Sequence, residues 1–353
     1  MNHLLLFNLA TDADDPVLGF TTEWINRLAA HVDHIDVITM RAGRIAVAAN
    51  VSVYSVGKEK GYSEARRAAE FYRILIKLID KRRYTACFAH MMPLFAVLGA
   101  PLLRLRGIPI TLWYTHRQNS SILQLAEKVS WRVVTAADDS FPFKTPKLRV
   151  IGHGIDTDFF APAPDAPPPT EFLVAHVARL MPIKHQESLI RAAAAVPEMQ
   201  VVFVGDVPPQ TDATYKTQLE VLAANLGVSD RIVFAGAQNA NGVRDWLRRS
   251  SAAVNLSPPG LFDKGALESM AVGLPTVVSS TAFQPLLRDQ MPFLSISTPD
   301  NHGALALRLA ALMRKSPDER QRIGAQLRER VIEAHNLDGL ITRLIHILTK
   351  GEP

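Results

Sequence analysis

Arg179 and Lys184 bracket a short turn, Arg-Leu-Met-Pro-Ile-Lys, directly after the apolar run Phe172–Ala178. A guanidinium fork and an ammonium point charge on one turn can grip a single phosphate group. Each is equally well a surface cation at a helix start. Gly205 and Asp206 follow the run Gln200–Val204, Gly236 follows Arg231–Ala235, and Ser257 follows Ala252–Leu256. Residues 260–275 then read Gly-Leu-Phe-Asp-Lys-Gly-Ala-Leu-Glu-Ser-Met-Ala-Val-Gly-Leu-Pro. Here a loop feeds a helix whose first turn holds small residues, so its N–H groups can come close to a diphosphate. Glu268, one turn further in, can accept hydrogen bonds from a ribose diol. Alone, Glu268 is an exposed helix carboxylate and Gly273–Pro275 a helix stop; the ordered combination is the signal.

The elements that must position these residues follow from hydrophobic pattern. Short β-branched runs alternate with amphipathic stretches along the whole chain of 353 residues. Strands are expected over Leu4–Leu9, Ile35–Thr39, Ala86–Ala89, Ile110–Trp113, Trp131–Thr135 and Leu148–Ile151, and again over the five runs from Phe172 to Val278. Helical period appears over His185–Ala195, Ala213–Leu226 and from Asp300 onward. Strands alternating with helices make βαβ units and a mostly parallel sheet. Five prolines fall between Ala161 and Thr170, which neither a helix nor an inner strand tolerates, so this is a stiff connector. The expected organisation is α/β: two Rossmann-like domains facing a cleft, with ligands beyond the carboxyl ends of the strands. The expected bounds are 1–158 and 159–335, with a C-terminal helix, 336–353, packing back toward the first domain.

Composition narrows the class. Hydrophobic residues make up 48% and charged residues 21%, which is globular and argues against disorder. The single cysteine, Cys87, can form no internal disulfide, which fits a reducing, cytoplasmic address and excludes a Cys-based zinc site. No apolar run reaches the ~20 residues of a membrane span, and Leu4–Phe7 meets Asp12, Asp14 and Asp15 too soon for a signal peptide. Net charge is only +5, but 63–84 carries seven cations, Arg66, Arg67, Arg73, Lys77, Lys81, Arg82 and Arg83, against three anions, Glu64, Glu70 and Asp80. Phe71, Leu75, Leu78 and Ile79 repeat at helical spacing within it. This is a basic amphipathic helix that packs on a sheet. Its Arg66, Arg67, Arg73, Lys77 and Lys81 are also candidates to rest on anionic lipid at the inner face of a membrane. Interleaved aromatics and a nucleic-acid module are lacking, so no nucleic-acid partner is expected.

Arg179-x4-Lys184, Val204-Gly205-Asp206, Asp230 to Gly236 and Leu267-Glu268 to Pro275, together, resemble the retaining GT-B glycosyltransferases of family 4, the glycosyl transferases group 1. Val150-Ile-Gly-His-Gly154-Ile-Asp156 resembles the segment with which that family enters its hinge. The resemblance covers about 150–280; in the first half only Gly19 and His116 sit where the family has cleft residues. It implies a metal-independent, hexosyltransferase-type enzyme without cofactor, taking a nucleotide-diphosphate sugar and a glycolipid or saccharide acceptor. Arg179 and Lys184 would hold the diphosphate and stabilise the departing charge, and His116 would contact the donor sugar near the reacting carbon. Glu268 would hold the ribose, while Gly205, Asp206, Gly236 and Ser257 would line the nucleotide site. Asp263, Lys264, Gly265 and Ala266 would meet the phosphates or the sugar, and Gly19 would let backbone approach the phosphate or acceptor. Gly260 departs from the pattern, which has a second glutamate there, and Asp263-Lys264 is the candidate substitute.

Other readings remain. Asp12-Ala-Asp14 and Asp138-Asp139 could hold a metal in a different transferase class, though a solvated turn explains them. His90 follows a strand and is a cleft residue or a hydrogen-bonded structural histidine. Gly-x-Gly-x-x-Gly after the first strand is missing, which argues against a nicotinamide cofactor. A sugar-nucleotide epimerase or hydrolase, or a silent sugar-nucleotide binder, is the alternative to a transferase building cell-envelope glycolipid or polysaccharide.

Overall fold

The computed structural model describes residues 2–15, 18–163, 169, 171–208 and 214–350. They form two units: one takes in the described residues up to Gly154 and those from Leu337, the other is Ile155–Asn336. The chain crosses four residues earlier than expected at the first boundary and one later at the second. Of the proline-rich connector, 164–168 and 170 lie outside the described residues.

The first unit is built on seven parallel strands: β1 (His3–Thr11), β2 (His34–Ala42), β3 (Val51–Ser55), β4 (Ala86–His90), β5 (Ile110–Trp113), β6 (Arg132–Thr135) and β7 (Leu148–Val150). Their order is β3-β2-β1-β4-β5-β6-β7, which reverses between β1 and β4. Helices α1 (Phe20–Ala29), α2 (Glu64–Lys81), α3 (Pro93–Leu105) and α4 (Ser121–Val129) make four of the six crossovers between successive parallel strands, while β2 to β3 and β6 to β7 are joined without an α-helix. Helix α2 starts where the Ser63 hydroxyl accepts the Arg66 N–H at 3.3 Å. Its stripe Phe71, Ile74, Leu75, Leu78 and Ile79 is buried, with Phe71 4.5 Å from the Phe95 ring and 5.4 Å from that of Phe7. At ~1.5–3 kcal/mol per buried side chain, that stripe holds α2 in place. Strand β3 escaped the sequence reading: it is a sheet edge only five residues long, and half-buried along most of its length.

The alternative sites have structural duties. Asp12 Oδ1 accepts the N–H groups of Asp14 (3.1 Å) and Arg44 (3.0 Å), and Asp14 takes the Arg44 guanidinium at 2.7 and 2.8 Å. Asp138 and Asp139 open a single turn ending at Ser140. The His90 ring is 5% exposed and lies in an aromatic box, 5.0 Å from Trp24, 5.9 Å from Phe20 and stacked on Trp113 at 6.2 Å. It is structural through ring packing rather than through the expected hydrogen bond. Burial pulls its pKa down to about 4, so it stays neutral.

The second unit carries β8 (Leu173–Val177), β9 (Gln200–Val204), β10 (Ile232–Phe234), β11 (Ala252–Asn255) and β12 (Thr276–Val278), all parallel, in the order β10-β9-β8-β11-β12. Helices α5 (Gln186–Ala195), α6 (Thr214–Asn225), α7 (Ala240–Arg249), α8 (Lys264–Ala271), the single turns α9 (Gln284–Leu287) and α10 (Met291–Leu294), α11 (His302–Met313) and α12 (Pro317–His335) surround the sheet. Helix α8 stops at Gly273, whose φ of +87° carries the chain into the left-handed region, and the Leu274 N–H returns to the Ser269 carbonyl at 3.1 Å. Helix α12 lies against this exit so closely that a Cβ on Gly324 would sit 1.7 Å from the Gly273 carbonyl oxygen. The last helix, α13 (Leu337–Lys350), returns to the first unit and packs on α1 and β4. Both units are Rossmann-like, and the alternation in the sequence predicts them.

Candidate active site

The strand order of the second unit reverses between β8 and β11, the place where open α/β sheets bind ligands. Arg179, Lys184, Ser257 and the first turn of α8 all gather at the carboxyl ends of these two strands. The chain leaves β8 through Ala178, whose N–H donates to the Val204 carbonyl (3.1 Å), and through Leu180, whose N–H donates to the Asp206 carbonyl (3.0 Å). Arg179 is thus held between two fixed points. Its carbonyl accepts the side-chain amide of Gln186 at 2.9 Å, while its guanidinium is exposed and has no polar partner among the described residues. Gln186 is fully buried at the start of α5 and shares its other end with the Tyr215 hydroxyl at 3.2 Å.

Lys184 is not a free cation. Its ammonium forms a close ion pair with Asp263 and donates to the Ser257 hydroxyl at 3.1 Å. Asp263 also accepts from the Ser257 hydroxyl and, at 3.2 Å, from the Asn255 amide. Burial pushes the Asp263 carboxyl up, but the Lys184 charge and the hydrogen bonds from Lys184, Ser257 and Asn255 outweigh it and hold the group below its ordinary value. His176, on β8 beneath this cluster, is fully buried, and neither ring nitrogen has a hydrogen-bond partner among the described residues. Burial first, then the Lys184 charge, brings its pKa down to about 3.

Asp263 stands at the N-cap of α8 but places no side-chain oxygen on that helix's N–H groups. The first turn, Lys264-Gly265-Ala266, therefore presents its N–H groups without that cap. Gly265 is required there, since a Cβ would lie 2.7 Å from the Val177 carbonyl oxygen. Glu268 is only 7% exposed and pairs with Lys264 at 2.8 Å along α8. The exposed-carboxylate reading of Glu268 fails, because this face of α8 is covered.

The glycines flanking the site serve the backbone. Gly205 has φ +141°, and a Cβ there would meet the Ala178 carbonyl oxygen at 2.2 Å. Its N–H donates to the Gly236 carbonyl at 2.9 Å, which ties the exits of β9 and β10 together. Asp206 is exposed, its Oδ1 accepting the Val207 N–H at 2.8 Å. In the first unit, Gly19 is the N-cap of α1, and a Cβ would lie 2.7 Å from the Asp15 carbonyl oxygen, so the chain's own backbone requires it. His116 is exposed beyond β5, its Nδ1 accepting the Gln118 N–H at 3.0 Å. The sequence reading missed Asn255, Gln186 and His176.

Residues 160–330 match the family model described as glycosyl transferases group 1. That stretch is similar to a domain of that family. The motifs from Arg179 to Pro275 fall inside this stretch, whereas the hinge segment Val150–Asp156, Gly19 and His116 lie outside it. Among curated relatives, the D-inositol 3-phosphate glycosyltransferase of Mycobacteroides abscessus is 29% identical over 160 residues, 43% of this chain and 36% of that one. Its Mycolicibacterium smegmatis counterpart is 28% identical over 204 residues, 55% and 46% of the two chains. This chain thus spans less than half the length of those relatives. The fold is shared over nearly the full length with a sucrose-phosphate synthase from Thermosynechococcus elongatus (TM-score 0.81, 17% identity, 99% of each chain). It is shared as well with HepE of Anabaena, solved with UDP-glucose (TM-score 0.77, 16% identity, 99% of this chain and 100% of that one). Both likenesses establish the fold, GT-B, built of two Rossmann-like α/β domains.

Proposed function

We propose that this chain is a retaining glycosyltransferase that moves a sugar from a nucleotide-diphosphate donor to a glycolipid or polysaccharide acceptor, without a metal. The observation that carries this reading is the convergence of Arg179, Lys184 and the uncapped first turn of α8 at the β8/β11 switch point. Two cations and a helix N-terminus on one spot fit a diphosphate, and preorganised charge there stabilises it as it departs. UDP-glucose in HepE supports a nucleotide sugar as donor. In the reaction the bond from the anomeric carbon to the phosphate oxygen breaks, and a bond from that carbon to the acceptor oxygen forms on the same face. The acceptor's hydroxyl proton goes to a departing phosphate oxygen, so no pair of protein carboxylates is needed. Glu268 holds the ribose once Lys264 yields its carboxylate, and His116 meets the donor sugar.

Cytoplasmic work at a membrane surface fits the rest of the chain. No helix among the described residues is long and apolar enough to cross a membrane. Arg66, Lys77 and Lys81 are exposed on α2, whereas Arg73 pairs with Glu70 and Arg67 donates to the Tyr62 carbonyl. The function is tested by incubating the protein with a panel of nucleotide sugars and saccharide or glycolipid acceptors in EDTA. Nucleoside diphosphate released only when acceptor is present supports the reading. Release without acceptor makes the chain a hydrolase or epimerase, and saturable binding without turnover makes it a binder.

A further inference from the structure

We infer that Asp263 is the affinity-setting residue of the anion site: its carboxylate occupies Lys184 in the empty site, is displaced by the incoming diphosphate, and returns as the product leaves. The inference rests on the reading of this site as a diphosphate site. Three features carry it. The carboxylate lies against the Lys184 ammonium, so one of the two cations that follow β8 is already neutralised from within the chain. The pair is seated rather than incidental: Ser257 is fully buried and touches both partners, and Asn255, 1% exposed, donates to the carboxylate at 3.2 Å. Asp263 also has a second place to go. As the N-cap of α8 in extended backbone it has two stations, the ammonium of Lys184 and its own helix N-terminus, and it occupies the first.

The consequence is a competition between two anions for one ammonium. A protein whose binding-competent state is populated a fraction of the time binds its ligand more weakly by that fraction. Asp263 therefore lowers the affinity for both donor and product, and by loosening the product it favours turnover at the expense of donor binding. The neighbouring Arg179 guanidinium, which has no such partner among the described residues, makes the first contact with an arriving phosphate.

The test is calorimetric titration with inorganic pyrophosphate and with UDP, in EDTA at low salt, of the wild type, Asp263→Asn, Lys184→Ala and the double variant. Asp263→Asn keeps the size of the side chain and one acceptor oxygen for Ser257 and Asn255, and removes the charge. It is expected to bind both probes about tenfold more tightly, as for a competent state populated about a tenth of the time. In the Lys184→Ala background the same change is expected to gain less than twofold, because the competition is for that ammonium. Equal or weaker binding by Asp263→Asn, with the wild type still binding, overturns the inference and leaves the diphosphate site standing. A gain that persists without Lys184 also overturns it, since it reflects general removal of negative charge. Failure of both the wild type and Asp263→Asn to bind either probe overturns the diphosphate reading and this inference with it.

Discussion

Arg179 owes its readiness to its backbone rather than to its side chain. The N–H groups on either side of it are tied to the Val204 and Asp206 carbonyls, and Gln186 holds its own carbonyl at 2.9 Å. The guanidinium consequently stands out from a rigid base with its donors unspent, an arrangement that loses little order when an anion arrives. Replacing Arg179 by Ala is expected to weaken nucleoside diphosphate binding roughly 10- to 150-fold, the equivalent of ~1.5–3 kcal/mol for charged hydrogen bonds. The melting temperature of the free protein should stay unchanged. Calorimetry and thermal melts check both halves, and an unaltered dissociation constant removes Arg179 from the site. Its position was legible because it follows a strand in a parallel sheet, as do Lys184 and Ser257. The pairing of Lys184 with Asp263 was not, since 79 residues separate them and local spacing says nothing about such partners. Asn255 was hidden for a different reason: one amide inside the apolar run Ala252–Leu256 reads alike whether it faces a site or the core.

Among the elements, α2 is where composition said most. Its buried stripe Phe71, Leu75, Leu78 and Ile79 is the one the helical period picks out, with Ile74 added. Which cations on the opposite face remain available depends on side-chain partners, and composition does not give these. Lys77 and Lys81 are exposed, Arg66 lies over the Tyr62 ring at 3.5 Å, and Arg73 is paired. At roughly 1 kcal/mol per basic residue near an anionic surface, Lys77, Lys81 and the ring-stacked Arg66 would give only weak attachment. Sedimentation with vesicles rich in anionic lipid should show binding at low salt that disappears at high salt. Lys77→Glu with Lys81→Glu should abolish it while leaving nucleotide binding intact; no sedimentation at either salt returns α2 to a packing helix. Edge strand β3 shows the limit of pattern reading, because a short strand half-exposed on its faces lacks the apolar run that marks the inner ones.

At the scale of the molecule, each unit holds one deeply buried neutral histidine, His90 in the first and His176 in the second. Their folded-state pKa values, about 4 and about 3, lie below the ~6.5 of an unfolded histidine. As pH falls below that unfolded value, the unfolded chain takes up protons that the folded chain refuses. The stability present above pH ~6.5 is then lost progressively down to the folded values. Between pH 6.5 and 5 each histidine should cost its unit roughly 2 kcal/mol. Urea unfolding at the two pH values measures the loss, and His90→Phe should shrink it for the first unit alone. A loss of the same size in that variant shows that the acid sensitivity arises elsewhere.

The path of the chain through its two units has a consequence for biosynthesis. Residues 155–336 are continuous, so the second unit has all its parts as soon as Asn336 clears the ribosome. The unit translated first is still missing a piece at that moment. Leu337, Leu340, Ile341 and Leu344, all fully or almost fully buried, belong to α13, which packs on α1 and β4. Until they emerge, part of α1 and β4 is left uncovered while the nascent chain grows by another 182 residues. The half begun first is the half finished last, and it is the one whose apolar surface waits longest for its cover.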